Sequence, residues 1–290
     1  MSELNDAEQR FADYLDAHGY TWSHEPDYQT ELGLPTRLET RPDFLIARAG
    51  SRAVGEVRQF ETTHIRDGLA KAGGYMSTGP REVYGSLRFG MWEKAKQLRP
   101  LAGAGVPLLI VLANPLGADV MLDAHHVQAA MWGNPGFVIP IDTSTGGPAE
   151  GQEMYWRLED YGVFASPVMQ DGKLVGWENR HPHLSAVLVV HERLYSMDWR
   201  EEVMHRHPAA DNSFEAATQA ALKAIKEIYA TSARGEEPQG AYQWVTVYEV
   251  NGDEAERVPA NWFDGERDER YGYTDGGYGQ LSPAPLEPGE

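Results

Sequence analysis

The stretch from Val106 to Ala113 is the longest unbroken apolar run in the chain. A bilayer span needs about 20 apolar residues, so this run is satisfied only as a strand covered on both sides. Gly103 and Gly105 lead into it. Before them Leu87–Leu101 reads as an amphipathic helix with Met91, Ala95 and Leu98 on one face. A doubly covered strand fed by a helix belongs to an α/β layer architecture. Upstream, residues 5–18 predict a helix capped by Asn5 or Asp6, carrying Phe11, Tyr14 and Leu15 on one side and ended by Gly19. A strand over Tyr20–Tyr28, a loop over Glu31–Arg41, and two strands over Asp43–Ala49 and Ala53–Phe60 follow. Gly50-Ser51 supplies a two-residue turn between the last two. The order helix, strand, strand, strand, helix, strand implies an α/β core over residues 1–115, a mixed central β-sheet flanked by helices.

Residues 116–274 read as elaboration packed on that core: a short helix near Asp123–Met131, a buried strand over Leu184–His191, a helix over Asn212–Ala230 and an alternating strand over Tyr242–Val250. Residues 275–290 are Gly-, Pro- and Glu-rich and read as a disordered acidic tail. No run is apolar enough for a membrane helix and the N-terminus is acidic, so a cytoplasmic protein with no membrane contact is expected. The absence of cysteine leaves oxygen and imidazole as the only metal donors. A formal charge of −19 opposes binding to nucleic acid. The one basic region runs from Arg66 to Arg99, with Arg66, Lys71, Arg81, Arg88, Lys94, Lys96 and Arg99 against Asp67, Glu82 and Glu93.

The hairpin carries a geometric consequence. With Ala49 facing Arg52 across the turn, Asp43 lies opposite Arg58 and Leu45 opposite Glu56, which puts Asp43, Glu56 and Arg58 on one sheet face. Cβ atoms of such pairs and diagonals are about 5–8 Å apart. Two carboxylates at that spacing repel each other unless a cation lies between them, and Mg²⁺ or Mn²⁺ turns the repulsion into binding. Glu8 stands on the stripe of Phe11 and Leu15 and has two readings. As a buried carboxylate it calls for a metal or a basic partner; as a first-turn residue it favours the helix dipole while staying solvated.

Pro42-Asp43, then Glu56-Val57-Arg58 after 12 intervening residues, within a hairpin preceded by a helix bearing Glu8, resembles the signature of the PD-(D/E)xK, restriction-endonuclease-like nuclease superfamily. The resemblance covers about the first 115 residues. It implies a restriction-endonuclease-like core, Asp43 and Glu56 as ligands of Mg²⁺ or Mn²⁺, Glu8 as an auxiliary ligand, and hydrolysis of nucleic-acid phosphodiesters, DNA in preference to RNA. Lys71, Arg88, Lys94 and Lys96 are the expected contacts to nucleic acid. Arg58 occupies the place of the usual lysine; it stays charged and cannot act as a base near neutral pH, although it can stabilise charge on phosphate. Lys71, Lys94 and Lys96 are the candidates to supply the lysine from elsewhere. The rival expectation is an inactive nuclease-fold protein serving as a binding or scaffold module, and a third is hydrolysis of another phosphate ester. The pairs His125-His126, His181/His183 and His205/His207 lack the HExxH spacing of a zinc enzyme. The eight tryptophans are spread as core and rim residues rather than gathered in one platform. The oligomeric state is left open, a homodimer included.

Overall fold

The computed structural model describes residues 3–35, 38, 41–60, 80–114, 122–138, 155–170, 173–274 and 277–281. In chain order the elements are α1 (Asp6–Ala17), β1 (Thr21–His24), α2 (Tyr28–Leu32), β2 (Phe44–Arg48), β3 (Ser51–Arg58), α3 (Pro80–Leu98) with a 3₁₀ turn (Arg99–Leu101), and β4 (Leu108–Ala113). After these come α4 (Ala124–Trp132), β5 (Gly133–Val138), β6 (Tyr155–Tyr161), β7 (Ser166–Gln170) and β8 (Lys173–Glu178). The chain ends with β9 (Ala186–Leu194), α5 (Tyr195–Arg206), α6 (Phe214–Ala233), β10 (Ala241–Glu249), β11 (Glu269–Thr274) and β12 (Gly277–Gln280).

Among the described residues the main sheet has eight strands in the order β1-β2-β3-β4-β9-β10-β11-β12. β1–β2 and β2–β3 are antiparallel pairs, whereas β3–β4, β4–β9 and β10–β11 are parallel. The mixed sheet flanked by helices is therefore present, as the element order requires. β5–β6 and β7–β8 form two separate hairpins. Contacts divide the chain into two compact units. One comprises residues 1–190 with 245–290 and holds the sheet, and the other, His191–Trp244, holds α5 and α6.

β4 is buried along its whole length because it feeds two cores. Leu109, Val111 and Ala113 point to the side where Phe11, Leu15, Phe44 and Ile46 gather from α1 and β2. Leu108, Ile110 and Leu112 point to the other side, against Leu87, Met91, Ala95 and Leu98 of α3. Strand alternation divides the apolar run between the two faces. In β3 the same alternation sends Ala53 and Val57 to the α1 side and Val54 to the α3 side. Glu56 shares the parity of Val54 and faces α3. No helix among the described residues is long and apolar enough to cross a membrane.

Several boundaries differ from the sequence reading. The expected strand over Tyr20–Tyr28 is shorter, because Tyr28 begins α2 and buries its ring, with its hydroxyl donating to the Pro42 carbonyl at 3.2 Å. The turn between β2 and β3 is Ala49-Gly50, not Gly50-Ser51. Both residues have positive φ, 50° and 80°, the combination that matches the twist of a two-residue hairpin. The register becomes Phe44↔Gly55 and Leu45↔Val54. Asp43 thus stands over Glu56, and Arg58 is moved out of register with it. Part of the expected disordered tail, Gly277–Gln280, is strand β12 against β11. The Tyr278 ring there lies 5.4 Å from Trp132 and 5.0 Å from Tyr273, burial that a compositional reading of Gly and Glu does not register.

Candidate metal centre

Five elements, α1, β1, β2, β3 and α3, meet where β2 begins and β3 ends. Asp43 is fixed before anything binds it: its carbonyl accepts from the Glu25 N–H at 2.8 Å, and its Oδ2 accepts from the Val57 N–H at 2.7 Å. Its own N–H donates to Glu56 Oε2 at 3.2 Å. Glu8 is held by the α1 capping box, in which the Asn5 side chain accepts from the Glu8 N–H while Glu8 Oε2 accepts from the Asn5 N–H at 2.9 Å. Glu8 caps the helix, as a first-turn carboxylate does, but its side chain is largely buried rather than solvated, and the same Oε2 lies 3.6 Å from His24 Nε2 at the end of β1. One ligand atom each from Glu8, His24 and Asp43 lie within 4.8 Å of one another. His24 was missed in the sequence, where an isolated histidine in an alternating strand carries no motif. Only the pairing of β1 on β2, with His24 beside Phe44, brings it to the carboxylates.

Glu56 belongs to the same site by a different contact. Lys94, from α3, donates from Nζ to Glu56 Oε1 at 2.7 Å, and both side chains are largely buried. Burial first, and then the neighbouring Asp43 carboxylate, push Glu56 up to about 7, with Lys94 pulling the other way. Burial also raises Asp43, against the lowering effect of the Val57 N–H and of Lys94. Protonation of one member of a close carboxylate pair relieves their repulsion, and a cation does the same.

Arg58 leaves the centre. Its guanidinium donates to Glu93 Oε2 at 2.9 Å and stands 5.8 Å from the Phe60 ring centroid. A Cβ added at Gly90 would meet Arg58 Cγ at 3.2 Å and Phe60 at 3.1 Å, so the glycine lets α3 approach this strand closely. The expectation that Arg58 faces Asp43 is corrected: the register places Glu56 opposite Asp43, and Glu93 offers the arginine a partner on its own side. Of the expected nucleic-acid contacts, Lys94 is inside the centre, Lys96 lies 4.4 Å over the Trp92 ring, and Arg88 donates to the Ala129 carbonyl at 3.4 Å. Lys71 lies outside the described residues. The histidine pairs show other roles. His183 Nε2 is 2.9 Å from the Ala95 carbonyl, burial lowers His181 to about 4, and His126 and His207 pair with Asp123 and Glu227.

The donor set fits a divalent cation. Ligands on bonds of about 2.1 Å lie about 3 Å apart, so modest side-chain rotation closes the set of Glu8, His24 and Asp43. Two carboxylates with one imidazole suit Mn²⁺ at least as well as Mg²⁺, which prefers oxygen and water. No protein-family model, curated protein or solved structure matches the chain.

Proposed function

We propose that this chain is a metal-dependent nuclease of restriction-endonuclease-like construction in which Lys94 takes the place of the motif lysine. The observation that carries the reading is the 2.7 Å contact of Lys94 with Glu56. A lysine from a separate helix reaches the second acidic residue of the motif while Arg58, at the motif position, turns to Glu93. The element order and the antiparallel β1-β2-β3 arrangement joined in parallel to β4 support the same reading. Asp43, Glu56 and Glu8, joined by His24, would hold Mn²⁺ or Mg²⁺. When bound, the cation supplies Lewis-acid activation of a water and of the scissile phosphate.

The protein's own groups do the rest. The Val57 and Asn5 N–H groups hold Asp43 and Glu8 in place without occupying both oxygens of either carboxylate. Lys94 keeps Glu56 partly neutralised and carries an ammonium at the place where the attacking water and the phosphate oxygens meet. Arg58 and Glu93 form an outer pair beside it.

The scaffold reading also has an observation in its favour. Glu56 with Lys94 and Glu93 with Arg58 make an internally neutralised array, which a protein without a cation would also need. Cleavage of plasmid, linear duplex, single-stranded DNA and RNA in Mn²⁺ and in Mg²⁺, with Asp43→Ala/Glu56→Ala as the control, decides between them. Cation-dependent cleavage that the double variant lacks supports the nuclease. Folded wild type that cleaves none of these substrates leaves the scaffold.

A further inference from the structure

Helix α3 divides sharply by face. Leu87, Met91, Ala95 and Leu98 are fully buried, whereas Phe89 and Trp92 are 56% and 45% exposed. Phe89, Trp92 and Lys96 recur at i, i+3 and i+7, so they share the outward side of the helix. Their rings sit 6.2 Å apart at 34°, and Lys96 Nζ rests 4.4 Å over the indole. Arg99 follows at the end of the same stripe and is exposed. Two large aromatics held in water cost hydration free energy that folding does not recover.

The charges narrow what they serve. Lys94 and Arg58, on the flank of α3 toward the centre, are neutralised by Glu56 and Glu93. Lys96 and Arg99 make no ion pair among the described residues, although the chain carries a net charge of −19. Cations with no ion pair among the described residues, set beside exposed rings, complement an anionic ligand that also has flat apolar faces. A nucleic-acid strand with unpaired bases has both, whereas a duplex hides its base faces within the stack.

We infer that the outer face of α3 is a stacking platform for single-stranded nucleic acid: Phe89 and Trp92 take unpaired bases, and Lys96 and Arg99 take the adjoining phosphates. The inference deepens the nuclease reading by naming its substrate class, and it puts the platform on the helix that supplies Lys94.

Binding without metal tests the platform separately from catalysis. Fluorescence anisotropy of the full chain in chelator would use a labelled oligothymidylate of about 15 nucleotides, the matching oligouridylate, an abasic strand of equal length and charge, and a duplex. Base-bearing strands of either sugar should bind tighter than the abasic strand and the duplex. Each ring removed should weaken the base-bearing strand by about 5- to 100-fold, and Phe89→Ala/Trp92→Ala should erase its advantage over the abasic strand. Lys96→Ala should weaken all strands alike and lower the salt dependence. Circular dichroism and thermal melting establish that the variants fold, and the exposed positions of both rings make that the expected result. Equal affinity for abasic and base-bearing strands, a preference for duplex, or no binding of any probe overturns the inference. Duplex cleavage with unchanged KM in the double variant would overturn it while leaving the nuclease intact. Tight, base-dependent binding with no cleavage in any cation would do the reverse.

Discussion

Substituting Glu56→Gln should remove a pH dependence of folding that is built into the centre. Glu56 rises from its ordinary 4.5 to about 7 on folding, through burial and the adjacent Asp43. Below pH 4.5 the carboxyl is protonated in folded and unfolded chains alike and contributes no difference. Between 4.5 and about 7 the folded chain keeps the proton that the unfolded chain loses, so stability falls as pH rises and levels off above that window. The full span corresponds to about 3 kcal/mol; water reaching the site and partial charge compensation by Lys94 bring the expected loss to about 2 kcal/mol. For a chain of this size that is roughly 4–8 °C in melting temperature. The assay is thermal or urea unfolding of metal-free wild type and Glu56→Gln from pH 4.5 to 8, read as the difference between the two proteins. Background titrations cancel in this difference. His181 is one of them, being depressed to about 4 and losing stability as pH falls below its ordinary value. Wild type should lose stability relative to the variant as pH rises, and saturating Mn²⁺ should abolish the trend by replacing the proton. A flat difference, or one in which wild type gains on the variant as pH rises, would refute the raised Glu56 and the electrostatic argument for a cation there.

Mn²⁺ should raise the melting temperature of wild type through binding to the native state, and Asp43→Ala should lose most of that rise. His24→Ala should reduce the response to Mn²⁺ more than the response to Mg²⁺, and equal losses in the two titrations would remove His24 from the ligand set. Lys94→Ala should lower cleavage by about 10²-fold or more, whereas Arg58→Ala should lower it less because its guanidinium serves Glu93; single-turnover rates in Mn²⁺ that reverse this ranking would return the role to Arg58. Ala49→Asn should stabilise the protein by about 0.5–1 kcal/mol, since Ala49 sits at φ 50° in the turn where asparagine is tolerated; a lower urea midpoint in the variant would contradict that turn geometry.

The sequence alone placed Asp43 and Glu56 at the same end of one hairpin. It misplaced the turn by one residue, and the shifted register exchanges Arg58 for Glu56 as the neighbour of Asp43, whose N–H donates to Glu56 Oε2. The doubly buried β4 and the apolar faces of α1 and α3 were equally legible, because alternation and helical spacing are local properties. The short hairpins β5–β6 and β7–β8 and the helix α2 were not, being too short to mark an element before its neighbours are known, nor was α5, which has the 12 residues of α1 but buries only Val203 and so carries no apolar stripe. Tertiary structure decided which cations and donors complete the centre. Lys94 meets Glu56 across 38 positions of chain, and His24 meets Glu8 and Asp43 only when β1 pairs with β2. Such contacts depend on how closely α3 approaches β3, which Gly90 permits, and on the register of an edge strand. Residue type fixes what each group can do, but distance in a low-dielectric site fixes which partner it finds, and that distance exists only after packing.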